Sequence, residues 1–308
     1  MNAGVLAAIG AFTLWGFLPL YLKALDHAQA GEILGHRVVW SLLFIVVLLT
    51  IKRRWSWLAQ LRQSPRLIAV ALGCALLLGT NWLTYIWAVT SGHIIEASLG
   101  YFINPLLNVL MGMLLLGERL RRIQWLALAI AASGVVYMTV AYGEPPWIAL
   151  ILAFSFGFYG LIRKRSPLGS IEGLSLETVV IALPALLYLF YLSSQGQTQF
   201  GQGNLRDNLL FAGTGIATAL PLIWFAYGAQ RITLTLLGLL QYIGPSIQMV
   251  IGIWLFNEDF TGPRVMGFSL IWLALALYSL EGFYRHRRSI SDRRRLAAIA
   301  EQDGLRSD

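Results

Sequence analysis

Tyr101, Asn104 and Asn108 fall at i, i+3 and i+7 of an otherwise apolar stretch, so a helix through them carries all three on one face. Gln241, Pro245 and Gln248 repeat that stripe at an offset of 140 residues. Amide and phenol groups of this kind donate and accept hydrogen bonds but do no covalent chemistry, and in apolar surroundings each needs a partner. A less polar pair of stripes holds Asn81 and Tyr85 in one copy and Pro221 and Phe225 in the other, with Trp82 and Trp224 close by. Aromatic walls with a few polar groups suit an amphipathic or partly apolar solute. The competing reading is interhelical hydrogen bonding, kinking and packing. Trp15 with Gly16, and Tyr159 with Gly160, extend the candidate lining.

Charged residues inside apolar stretches are few, and an isolated charge at such depth is costly. Arg37 and Glu177 occupy equivalent positions of the two copies, and Glu96 begins the stretch that carries the first stripe. An Arg37 to Glu96 pair at one membrane face, and Glu177 with Arg231 or Arg163 at the other, would make two thin gates around one central site. Static interfacial pairing is the alternative. His36 and His93 sit near the first of these faces. No metal-ligand spacing, nucleophile elbow or phosphate loop occurs, and Glu32 with His36 is an i, i+4 pair without further ligands. The sequence therefore predicts no enzyme, no metal and no cofactor. The single Cys74 lies in an apolar run and offers neither a disulfide nor a thiolate cluster.

The elements that must position these residues lie in a bilayer. Hydrophobic residues make up 57% of the 308-residue chain and charged ones only 12%, against about a quarter in soluble domains. Mean hydropathy is +0.66. Ten apolar segments of membrane-spanning length are predicted, near 3–22, 33–51, 67–89, 94–116, 122–141, 147–163, 174–192, 207–228, 232–256 and 263–283. The first lacks a basic leader and a cleavage site and reads as a retained helix. At the 140-residue offset Ser98 to Glu118 overlays Gly238 to Glu258, so that Pro105 meets Pro245, Asn108 meets Gln248 and Glu118 meets Glu258. Five spans per copy is an odd number, so the second copy must run inverted, and inverted repeats around a midplane cavity are how secondary transporters are built. Each proline frees a carbonyl four residues earlier, at Tyr101 and at Gln241.

Basic residues set the orientation. Lys52, Arg53, Arg54, Arg62 and Arg66, then Arg119, Arg121 and Arg122, then Arg163, Lys164 and Arg165, then Arg231 and the basic tail fall on one side; only Lys23, Arg206 and Arg264 fall on the other. Both termini are therefore predicted to be cytoplasmic. Topology accounts for the net charge of +8, and no nucleic-acid partner is implied. Arg53 to Arg62 mixes Trp55, Trp57 and leucines with cations and suits the inner interface, while the uncharged Ser193 to Asn204 stretch suits an external loop. Glu144, Pro145 and Pro146 separate the copies, giving repeats over 1–142 and 146–284 and a basic tail over 285–308.

WGFLPLY from Trp15, ILGHRVVWS from Ile33, the block Asn81 to Leu106, GERL from Gly117 and QYIGPSIQ from Gln241 together resemble the RarD group of EamA-type permeases, in the drug/metabolite transporter superfamily. The resemblance spans nearly the whole chain. It implies an all-α integral membrane protein with ten transmembrane helices in two inverted EamA repeats, in the bacterial inner membrane, moving small molecules. The group is traditionally described as chloramphenicol-sensitivity proteins, which implies metabolites or chloramphenicol-like drugs as candidate solutes. An exporter or exchanger of amino-acid-like metabolites is the alternative, and a non-transporting membrane subunit is a third reading. Trp15, Gly16, Arg37, Glu96, Asn104 and Pro105 match the group's pattern, whereas Glu177 stands where its repeat mate has Arg37. Substrate, direction, coupling ion and a monomeric or dimeric state are not legible.

Overall fold

The computed structural model describes residues 2–25, 27–58, 64–90, 94–142, 147–202, 204–255 and parts of 262–281, without the side chains at 86, 89, 90, 94–99, 142, 249, 252 and 253. Glu96, His93, Arg62, Arg264, Glu258, the proposed boundary at Glu144 to Pro146 and the basic tail thus lie outside the described residues or side chains. All described regular structure is helical: α1 (Ala3–Lys23), α2 (Ala30–Ile51), α3 (Pro65–Thr90), α4 (Ile94–Leu116), α5 (Arg122–Tyr142), α6 (Trp147–Arg165), α7 (Ser170–Ser194), α8 (Leu205–Ala229), α9 (Leu234–Gln241) and α10 (Ile243–Leu255). A shorter apolar helix covers Val265–Tyr278. Among the described residues seven helices are long and apolar enough to cross a membrane, as expected of a chain whose backbone polar groups must pair internally in lipid.

Local signals place the ends. Asn2 caps α1 by accepting from the Gly4 amide, Asn204 caps α8 by accepting from Asp207, and Thr233 caps α9 by accepting from Leu236. Gly117, at φ 67°, ends α4 in the left-handed region, and the turn lets the Glu118 amide donate to the Gly112 carbonyl at 3.0 Å. The predicted ninth span is not one helix: it breaks at Tyr242 into α9 and α10. Pro245, which has no N–H for the Gln241 carbonyl, lies one turn beyond the break. Pro105 takes the equivalent place inside α4, and there the helix continues.

Two compact units are present. The larger, residues 1–118 and 142–260, contains α1–α4 and α6–α10. Within it α1 packs on α8 and α10, α2 on α7 and α8, α3 on α6 and α7, and α4 on α6 and α9. Exchanging each helix for its mate 140 residues away converts the set of pairings into itself, with α2 on α7 and α4 on α9 being pairs of mates. Where mates touch, they run antiparallel. Gly112, Pro105 and Phe102 of α4 meet Thr235, Gly238 and Tyr242 in reverse order, and Gly31 of α2 and Arg54 just beyond its C-terminus meet Tyr188 and Glu172 of α7. Phe102 and Tyr242, equivalent at the offset, stack with centroids 6.4 Å apart while the Tyr242 hydroxyl donates to the Phe102 carbonyl.

The smaller unit, residues 119–141 and 261–308, holds α5 and Val265–Tyr278. In it Gly134 packs against the Gly267 carbonyl so closely that an added Cβ would stand 3.0 Å away, and Arg121 pairs with Glu281 at 3.3 Å.

Candidate solute site

The amides of the first stripe are buried and engaged. On α4, Asn104 (2% exposed) donates to the Ala153 carbonyl of α6 at 2.6 Å, and Asn108 (1% exposed) donates to Asn104 Oδ1 and to Gln241 Oε1 at 3.1 and 3.0 Å. One polar chain thus joins α6, α4 and α9, and it links both copies of the stripe. Asn81 on α3 is buried too, donating to the Leu152 carbonyl and to Ser155 Oγ, each at 3.0 Å. Gln248 is half-buried and donates to the Trp15 carbonyl at 2.9 Å. Buried groups without such bonds would be costly in apolar surroundings, and the helices supply them to the amide nitrogens of Asn81, Asn104 and Asn108, while Asn108 Oδ1 has no partner among the described residues.

Aromatic side chains surround this frame. Trp15 lies against Phe12, Phe156 and Phe225 with centroids 5.7 to 5.8 Å apart, and Tyr159 stacks on Phe225 at 6.0 Å. Tyr85 and Tyr101 meet edge to face at 5.8 Å. Trp15, Trp82, Tyr85, Tyr101, Trp224 and Gln248 are half-buried, in contrast to the buried amides. Pro105 is buried and Pro245 half-buried. The arrangement offers aromatic faces and a few hydrogen-bonding groups on a helical frame.

The charges sort differently from their expected pairing. Arg37 on α2 is half-buried, donates from Nε to Thr218 Oγ1 at 3.0 Å and lies 5.8 Å from the Trp82 ring centre. Tyr85 and Tyr101 are close enough to interact electrostatically with it. Its expected partner Glu96 is outside the described side chains. Glu177 on α7 pairs with Arg163 at 3.4 Å, both 1% exposed, and accepts from the Tyr159 hydroxyl at 3.1 Å. Of the two cations considered for it, Arg163 is the one in contact. Arg231 is exposed, stands 3.4 Å over the Tyr227 ring and donates to the Tyr227 carbonyl.

A polar clamp at the α6 C-terminus was not expected from spacing. Arg163 also donates to the Gly169 and Ser170 carbonyls, Lys164 to those of Ala229 and Ile232, and Arg165 to that of Leu115. Gln230 donates to the Leu168 carbonyl at 2.8 Å. Glu118, from the GERL segment, accepts from the Leu234 and Thr235 amides at 2.7 and 3.0 Å and from Thr235 Oγ1 at 2.7 Å, compensating the first turn of α9. Basic residues in the last turn of α6 gave a topology signal, but nothing in their spacing names the carbonyls of other helices.

Known proteins resemble the chain as a whole. The model of the EamA-like transporter family matches residues 2–140. The chain is 44% identical over 299 residues to protein RarD of Streptomyces exfoliatus, covering 97% of this chain and 94% of that one. It is 43% identical over 286 residues to protein RarD of Escherichia coli (strain K12), with 93% and 97% covered. With an uncharacterized transporter of Vibrio cholerae the identity is 45% over 279 residues, with 91% and 92% covered. A solved crystal structure superposes with a TM-score of 0.65 over 90% of this chain and 97% of its own, at 19% identity, which is a likeness of fold. A multi-pass helical protein with this degree of likeness along nearly its whole length is a membrane transporter, and it belongs to the EamA-like transporter family as a RarD-type permease.

Proposed function

We propose that this chain is a secondary transporter of small organic solutes in the bacterial inner membrane, working by alternating access between two inverted five-helix repeats. The antiparallel contact of α4 with its own repeat mate α9 carries the reading. Two copies of one unit in opposite directions across a membrane have interchangeable conformations, so a site on their common axis opens to one side and then to the other. Support comes from the stacking of Phe102 on Tyr242, which are equivalent residues, and from the exchange of helix pairings at the 140-residue offset. The solute lies among Trp15, Trp82, Tyr85, Tyr101, Trp224 and Gln248, while Asn81, Asn104, Asn108, Gln241, Tyr159 and the two prolines Pro105 and Pro245 shape the helices around it. Both termini are cytoplasmic in this reading, which follows from the basic residues.

The test is solute flux in vesicles containing only the purified protein, with metabolites and chloramphenicol-like compounds as trial solutes. Saturable uptake that an unlabelled competitor suppresses is the expected result. Vesicles no more permeable than protein-free ones to every solute tried would favour a non-transporting subunit.

A further inference from the structure

We propose that Arg37 is the anchor for a carboxylate and that the solute is an organic anion with an aromatic or apolar body. This rests on the transport reading above and names its substrate class. Arg37 and Glu177 are repeat mates, yet their surroundings differ. The Glu177 charge is compensated inside the protein by Arg163 and by the Tyr159 hydroxyl. Among the described residues no carboxylate lies within ion-pair distance of Arg37. Glu32, on the same helix, turns away to accept from the Gln199 and Phe200 amides. The neighbours of Arg37 are instead a hydroxyl at Nε, the face of Trp82 and the nearby Tyr85 and Tyr101.

A guanidinium presents a planar fork that grips a carboxylate through two parallel hydrogen bonds. Thr218 holds Nε and so fixes the plane of the fork, and among the described residues the donors of the two terminal nitrogens are left for a ligand. Trp82, Tyr85 and Tyr101 are half-buried and border the same group, so they offer ring faces to the body of the ligand. A cation in such a setting is costly alone and favourable once an anion arrives.

The experiment uses the full chain in lipid nanodiscs and reads Trp fluorescence and thermal unfolding. The probes are phenylacetate, indole-3-acetate, phenylpyruvate and octanoate, each against its neutral amide. At least one acid should bind with about tenfold or greater preference over its amide. Arg37→Gln should abolish that preference, and Arg37→Lys, which keeps the charge without the fork, should recover only part of it. Thr218→Val should weaken the acid alone. The comparison of acid with amide on the unaltered protein decides the matter even if the Arg37 variants fail to fold. If no acid exceeds its amide, the proposal is overturned. Flux of a neutral solute in vesicles would then still uphold transport, while acid binding without flux of any solute would uphold the site and remove the transport reading.

Discussion

Asn104, Asn108, Gln241 and Asn81 carry the polar frame of the larger unit, and their burial decides what removing them does. Asn104→Ala leaves the Ala153 carbonyl and the Asn108 amide short of partners, so it should cost about 1–3 kcal/mol and lower the midpoint of thermal unfolding of the purified protein. Loss of flux without any fall in that midpoint would instead mean that Asn104 touches the solute directly. Glu177→Gln is harsher. It strands the Arg163 cation at 1% exposure, and breaking such a pair from one side costs about 3–5 kcal/mol. Replacing both residues by Met should restore much of the loss, and a double variant as unstable as Glu177→Gln would refute that account. Residue types and helical spacing made the amide stripes legible in the sequence. Arg163 was one of the two cations the sequence offered for Glu177, and it is the one in contact. Ser155 and Thr218 were not legible as partners, because which distant helices meet is a property of packing that periodicity within one helix does not encode.

Helices close to one another need small residues where backbones approach, and glycines therefore divide into those that pack and those that do not. A Cβ at Gly238 would lie 2.7 Å from the Pro105 carbonyl oxygen, which belongs to the backbone of α4 and cannot swing aside. Gly238→Ala should push α9 away from α4 and lower both the unfolding midpoint and flux. At Gly73 on α3 nothing stands within 4 Å, so Gly73→Ala should be neutral or stabilising by up to about 1 kcal/mol through helix propensity alone. Equal losses from the two substitutions would contradict this packing. The same closeness appears where Gly215 meets the Trp40 backbone between α8 and α2, and there Ser41 donates to the Gly215 carbonyl at 3.1 Å. Helix positions were legible to within a few residues because apolar run length is a strong signal. The break at Tyr242 was not: both copies carry the proline, and only packing decides that α4 stays continuous while α9 and α10 separate.

At the scale of the molecule, the repeat and the basic loops jointly predict topology. A reporter fused after Arg295 should behave as cytoplasmic and one inserted between Ser193 and Asn204 as external. A cytoplasmic signal from the second position would sink the inverted arrangement. The clamp around the α6 C-terminus also has a consequence for this arrangement. Arg163 with Glu177, Lys164 with Ala229 and Ile232, and Glu118 with the start of α9 tie together α4, α6, α7, α8 and α9 at the end that the basic residues assign to the cytoplasm. At the equivalent depth of the first copy stands Arg37, whose partners among the described residues are Thr218 and aromatic rings. Among the described residues, of the repeat mates Arg37 and Glu177 the one in an ion pair is therefore Glu177, at the predicted cytoplasmic end. A change shifts a conformational equilibrium only through contacts that differ between the states, so under the proposed alternating access a clamp made only in the described state, once weakened, favours opening on that side. Glu118→Gln removes the charge that faces the α9 amides while keeping the side chain's size. In a Cys74→Ala background, a cysteine at Gln230 should then react faster with a membrane-impermeant maleimide from the cytoplasmic side of oriented vesicles. A cysteine at Tyr85 should react more slowly from the other side. Unchanged rates at both positions would show that the clamp holds helices together in every state and takes no part in opening.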